Sequence, residues 1–253
     1  MQEAIRVEKV SLTYVGSQVK ALEEVDFVLP RGVRAALVGP NGAGKSSLMK
    51  VLLGLEPVSE GRISLLGQST GLARLLEQKM AYIPQANQVN WSFPATVFEI
   101  VLMGRFAHTK GFLRRPSRKD KELAEEAMKK MGLEDLRHRQ IDQLSGGQRQ
   151  RVFIARALCQ EAELYLLDEP LAGVDRVTEQ IIMDSLVDFQ KEGKTSLVIH
   201  HDLSTVASYF DYLVWFNRRV ITSGPVDQVW TNSFYEKTYG RGLSLPVQEG
   251  TND

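Results

Sequence analysis

The chain has 253 residues, 43% of them hydrophobic and 25% charged, and its 31 basic side chains balance 31 acidic ones. That length suits one sizeable domain with a subdomain and is too short for two full enzymes. The charge balance leaves no global field for nucleic acid, so any polyanion is recognised locally.

The opening MQEAIRVEKV lacks a basic-then-apolar leader, and apolar runs such as YLVWF at 212–216 are too short to span a bilayer. A cytosolic chain is therefore expected. Cys159 is the only cysteine. It excludes an internal disulfide and a cysteine-built zinc cluster, and reads as a small buried hydrophobe.

In chain order, IRVEKVSLTY and KALEEVDFVL alternate apolar and polar residues, which predicts two antiparallel strands with one wet face. VRAALVG runs apolar into a glycine-rich loop and the helix KSSLMKVLLGL, the start of an α/β core. GRISLLG and KMAYIP read as short strands. From about 95 to 160 the 3.6-residue spacing predicts helices, among them SRKDKELAEEAMKKMGL, with serine and acidic residues at its start and glycine at its end.

The core resumes with the strand ELYLLDEP, a helix around TEQIIMDSLVDFQKEG, the strand TSLVIH and the hairpin YLVWFNRRVITSG, turning at Asn217 and Arg218. The expected division is a single domain over 1–242. Its core lies at about 1–88 and 160–242, with a helical subdomain inserted at about 89–159. The polar residues 243–253 read as a flexible tail.

GPNGAGKS fits G-x-x-x-x-G-K-[ST] between a strand and a helix, the setting a phosphate-binding loop requires. Gly39, Gly42 and Gly44 let the loop, which also holds Pro40, Asn41 and Ala43, curl so that its backbone N–H groups face a β-phosphate, helped by the helix dipole. Lys45 reaches the β and γ oxygens, and Ser46 ligates Mg²⁺. Asp168, ending a buried strand, is the acidic magnesium partner. Glu169 beside it can polarise a water for in-line attack and is the candidate general base.

LSGGQ at 144–148, downstream of that loop and shortly before Asp168–Glu169, resembles the signature of ATP-binding cassette (ABC) ATPases. The resemblance covers nearly the whole chain. It implies an α/β P-loop NTPase fold: a RecA-like mixed-sheet core, N-terminal antiparallel strands and the inserted helical subdomain. It makes Tyr14 an adenine-stacking aromatic, Gln85 of YIPQ a catalytic and Mg²⁺-ligating glutamine, and Asp175 of AGVD a residue of the D-loop. In HHDL, the family pattern gives the γ-phosphate contact to His201 and leaves His200 a structural reading. Ser47, where many family members carry threonine, keeps the hydroxyl and joins the nucleotide site.

The resemblance also supplies the partners. The signature of one copy, with Ser145, Gly146, Gly147 and Gln148, covers ATP held by another copy, which implies an ATP-sandwich homodimer. A lone cassette passes the closing and loosening of that pair to polytopic permease subunits through a groove beside Gln85, where Trp91 and Phe93 lie; Trp91 equally fits anchoring in its own core. The basic stretch 114–121 reads as a solvated face, or one close to anionic lipid.

NWSFPATVFEIVLMGR, GFLRRPSRKDKE and HHDL together resemble the ATPases of bacterial manganese, zinc and iron importers. That branch implies an ATPase at the cytoplasmic face of the membrane and, indirectly, a metal-binding extracytoplasmic protein. The four histidines form no ligand cluster with acids or the cysteine, so the cargo metal is expected on the partners. Other cargo (haem, cobalamin, a siderophore) and a soluble role such as iron–sulfur cluster assembly are the alternatives.

Overall fold

The computed structural model describes residues 2–70, 72–85, 89, 91–109, 115–242 and 244–246. The expected tail beyond 246, and Arg114 of the basic stretch, lie outside the described residues.

Strands β1 (Glu3–Thr13), β2 (Lys20–Pro30) and β3 (Arg34–Val38) open the chain, followed by helix α1 (Lys45–Leu52). Next come β4 (Glu60–Leu65), α2 (Leu72–Lys79) and β5 (Met80–Ile83). A helical stretch holds α3 (Val97–Leu102), a 3-10 turn at Met103–His108, α4 (Arg118–Lys130) and α5 (Gly146–Cys159). Then follow β6 (Leu164–Asp168), α6 (Arg176–Lys191), β7 (Thr195–Ile199) and α7 (Val206–Tyr209). The hairpin β8 (Tyr212–Asn217) and β9 (Arg219–Pro225) leads to α8 (Val226–Val229) and α9 (Asn232–Tyr239). The contacts group into two compact units, Met1–Ala73 with Phe189–Asp253, and Arg74–Asp188.

In the first unit, β1 lies between β2 and β4, antiparallel to both, with Val7 opposite Phe27 and Ile63. Alternation puts Ile5 and Val7 in the core, and an irregularity between Val7 and Val10, where Lys9 has φ 47°, resets the phase so that Val10 and Leu12 are buried too. The second sheet is mixed. β3 pairs in parallel with β7 and β8, and β9 returns antiparallel along β8. Ala35–Val38 are wholly buried, as a strand covered on both faces requires.

In the second unit, β5 and β6 pair in parallel, Tyr82 opposite Leu166, and every residue of β6 is buried. Capping boxes start all three helices of the helical stretch: Thr96 with Glu99, Ser117 with Asp120, and Ser145 with Gln148. Gly104 lets the 3-10 turn meet α5, since a Cβ there would lie 2.3 Å from the Arg156 carbonyl.

One residue later Arg105, 6% exposed, donates to Asp120 Oδ1 at 2.9 Å, the Cys159 carbonyl at 2.9 Å and Glu161 Oε2 at 2.8 Å. Burial opposes ionisation of Asp120, but the Ser117 hydroxyl and the Arg105 guanidinium outweigh it and hold the carboxyl at about 2. Cys159 is buried, and desolvation pushes its thiol up to about 12.

The sequence reading missed α2 and α9. α9 carried a legible signal: Thr231 caps it, Tyr235 and Tyr239 sit four residues apart, and Gly240 ends it.

Candidate nucleotide-binding site

The phosphate loop lies in the first unit, between the buried end of β3 and the start of α1. Its glycines answer different needs. A Cβ on Gly39 would stand 1.9 Å from the Phe216 carbonyl, and one on Gly44, at φ 89°, 2.4 Å from the Ala21 carbonyl. Gly42, at φ 77°, has open space where a side chain would project. The loop is thus hemmed in by β8 and β2 and open at its crest.

Lys45 is 7% exposed, and its ammonium donates to the carbonyls of Gly39 at 2.7 Å and Pro40 at 3.0 Å. The charge is already held beside the loop it would serve. Ser46 is exposed. Asn41 is also exposed, and the Ala43 N–H closes a turn on the Pro40 carbonyl at 3.2 Å.

Tyr14, just past β1, is tied to this loop: its hydroxyl donates to Ser47 Oγ at 3.0 Å, with the Lys50 ammonium 6.0 Å from its ring centroid. An aromatic platform is therefore fixed to the helix that follows the phosphate loop. The contact was not foreseen, although both residues were named.

The two histidines after β7 separate as expected. His200 is 4% exposed, and its backbone N–H donates to the Leu37 carbonyl at 3.2 Å, closing β7 onto β3. The Thr205 hydroxyl donates to the Asp202 carbonyl at 3.1 Å, so His200 Nε2 supplies the proton in its 2.8 Å bond to Thr205 Oγ1. Burial, and then the charge of His201, lower its pKa to about 4. His200 is a neutral structural residue at pH 7. His201 is exposed.

The second unit carries the remaining groups. β6 delivers Asp168, 2% exposed, at its buried end, and burial with the Asp168 charge pushes the Tyr82 phenol up to about 12. Glu169 follows in the left-handed region, φ 49°, an unfavourable place for a residue with a Cβ. Gln85 Nε2 donates to Glu169 Oε2 at 2.7 Å, joining two residues named separately from the sequence.

Ser145 caps α5. Its oxygen accepts the Gln148 N–H at 3.3 Å, and Gln148 Oε1 accepts the Ser145 N–H at 3.0 Å. The N–H groups of the first turn, which include those of Gly146 and Gly147, have no partner within the helix itself. Asp175 accepts from the Thr178 N–H at 2.9 Å and from its hydroxyl at 3.1 Å; the backbone bond leads in lowering the Asp175 pKa. A Cβ on Gly147 would lie 3.2 Å from Thr178 Oγ1 and 3.4 Å from Asp175 Oδ2, so the start of α5 is in close contact with Asp175 and the first turn of α6.

Trp91 stands edge-on to Phe153 with centroids 5.1 Å apart, and the Arg149 guanidinium lies 5.1 Å from its ring. It is anchored on α5, as one of the two expectations had it. Phe93 instead is 56% exposed and, with Met103 and Phe106, lines an apolar groove of about 310 Å³.

A glycine-cradled lysine loop between a strand and a helix in the first unit, and a consecutive Asp–Glu pair ending a buried strand in the second, are the parts that define a P-loop nucleotide-binding protein. The family model for ABC transporters matches residues 22–172. The manganese transport system ATP-binding protein MntB of Bacillus subtilis is 44% identical over 95% of this chain and 94% of its own length. The zinc transport system ATP-binding protein TroB of Treponema pallidum is 44% identical over 95% and 88%. A nucleotide-free ATP-binding cassette from an ABC transporter superposes with a TM-score of 0.77 at 26% identity, covering 93% of this chain and 94% of that one. A dimeric bacterial ABC transporter cassette gives 0.77 at 27%, covering 88% and 98%. The chain belongs to the ABC transporter family and is an ATP-binding domain of it. No helix among the described residues is long and apolar enough to cross a membrane.

Proposed function

We propose that this chain is the ATP-hydrolysing subunit of an importer for a transition-metal ion: manganese, zinc or iron. It works as a homodimer docked on membrane permease subunits at the cytoplasmic face, with an extracytoplasmic binding protein delivering the metal. The observation that carries the cargo class is likeness over 95% of the chain to ATP-binding proteins of a manganese and of a zinc transport system. Among the described residues no group of three His, Cys, Asp or Glu side chains could hold a metal ion. We place the cargo on the partners.

In this reading Tyr14 stacks on the adenine, and residues 39–47 wrap the phosphates. Lys45 exchanges its carbonyl contacts for the β and γ oxygens. Ser46, Gln85 and Asp168 offer hydroxyl, amide and carboxylate oxygens, the hard donor set that Mg²⁺ takes, and would hold it. Bound there, Mg²⁺ neutralises charge developing on the transferred phosphoryl group. Glu169 accepts the proton of the attacking water, oriented by Gln85, while His201 contacts the γ-phosphate. Ser145, Gly146, Gly147 and Gln148 of one copy meet the γ-phosphate held by the other, with Asp175 at the same junction. Losing that bridging phosphate loosens the pair. We assign the permease contact to the apolar groove at Phe93, Met103 and Phe106, which would take apolar side chains projecting from a permease helix.

The deciding experiment is cellular manganese, zinc and iron content with and without the gene. Loss of one metal, restored by the wild-type gene but not by a Lys45→Ala copy, is expected. Unchanged levels of all three would sink the metal-import reading and leave the ATPase reading standing.

A further inference from the structure

The turn between β8 and β9 does more than reverse the chain. β8 ends at Asn217, and β9 begins at Arg219, directly opposite. Arg218 alone makes the turn at φ 57°, in the left-handed region that suits glycine. From there its backbone N–H donates to the Ala43 carbonyl at 2.7 Å, and its own carbonyl accepts the Glu23 N–H at 2.9 Å. Two residues earlier, the Phe216 carbonyl abuts Gly39. The hairpin tip therefore touches the phosphate loop near both of its ends.

A strained residue keeps its conformation only where its surroundings impose it. Here the restraint comes from the C-terminal helix. Asn217 Nδ2 donates to the Thr238 carbonyl at 3.0 Å, and Thr238 is 1% exposed in α9. α9 is docked against β8 by an aromatic cluster. Trp215 stacks on Trp230 at 5.5 Å and meets the rings of Tyr235 and Tyr239 at 6.1 and 6.3 Å. The Trp215 indole also donates to the Val229 carbonyl at 2.8 Å.

We propose that Asn217 is a positioning residue for nucleotide binding: its bond to the Thr238 carbonyl holds the Arg218 N–H on Ala43, so that the C-terminal helix sets the shape of the phosphate loop. Asn217 touches no nucleotide and acts through Arg218. The inference rests on the reading of residues 39–47 as the nucleotide site.

The test compares ATP with inorganic tripolyphosphate, which has no base to stack on Tyr14. Asn217→Ala removes one hydrogen bond, so Kd is expected to rise about three- to tenfold for both ligands alike, with kcat at saturating ATP retained. A merely structural Asn217 would lower the fraction of competent protein and kcat while leaving both Kd values within twofold of wild type. That result overturns the proposal, as does weakening confined to ATP. Should Asn217→Ala fail to fold, amide exchange in the wild-type chain decides: ATP must slow exchange at Arg218 as well as in residues 39–47. Slowing in the loop alone overturns the proposal. A wild-type chain binding neither ligand would instead overturn the nucleotide-site reading.

Discussion

The amide of Gln85 and the carboxylate of Glu169 are joined by a 2.7 Å hydrogen bond from Nε2 to Oε2. One carboxylate oxygen is thus engaged, and the carboxyl group is oriented by a residue 84 positions away in the chain. Replacing Glu169 with glutamine preserves size and removes the proton acceptor. Glu169→Gln is expected to bind ATP normally and hydrolyse it at least about a hundredfold more slowly, accumulating an ATP-bound dimer. Phosphate release and size-exclusion chromatography with ATP check both parts, and near-normal turnover would remove Glu169 from its role.

The proposed composite site makes a prediction about stoichiometry. Lys45→Ala damages the loop and Ser145→Arg the signature, so either variant alone loses both sites of its homodimer. A mixed dimer keeps one undamaged site. Mixing the two chains is expected to restore ATP-dependent pairing and part of the ATPase activity. Verified mixed dimers with no recovery argue against shared sites.

His200 predicts an acid limb of stability. Its folded pKa, about 4, lies below the ordinary value of 6.5, so the unfolded chain binds the extra proton between those values. Stability from this group is complete above pH 6.5 and falls as pH drops towards 4, by up to about 1.4 kcal/mol per pH unit. His200→Gln is expected to flatten the slope of thermal midpoint against pH across that window. An unchanged slope would assign the acid limb to other groups.

The buried ion pair makes the strongest stability prediction. Arg105→Ala leaves the Asp120 carboxylate, 7% exposed, bonded to Ser117 but without its cationic partner, and removes a donor from the Cys159 carbonyl. Such a loss costs about 3–5 kcal/mol. Asp120→Asn keeps a side-chain oxygen for the Ser117 cap and is expected to cost less. Urea unfolding of both variants checks the order, and equal midpoints would contradict it.

What could be read from the sequence follows from where the determining forces act. Local spacing and flanking residues identified residues 39–47, the strands from IRVEKV to TSLVIH and the capped helix at Ser117, because glycine, capping and alternation act within a few positions. The bonds from Tyr14 to Ser47, Gln85 to Glu169 and Arg218 to Ala43 join residues 33 or more apart, and no local pattern encodes them. Asn217 and Arg218 were legible as a turn. That the turn grips the phosphate loop was not, since it depends on β8 lying beside β3. Arg105 could be placed only once α4 and the end of α5 stood on either side of it.

The capping box at Ser145 bears on how two copies would find each other. Ser145 and Gln148 satisfy one another before any phosphate arrives, so the segment proposed to receive the neighbour's nucleotide is folded in the lone subunit. Little ordering is then left for the moment of encounter. In the proposed pair, the cost of shaping that segment falls on the folding of each subunit and not on the encounter, while pairing itself still answers to the concentrations of both nucleotide and subunit.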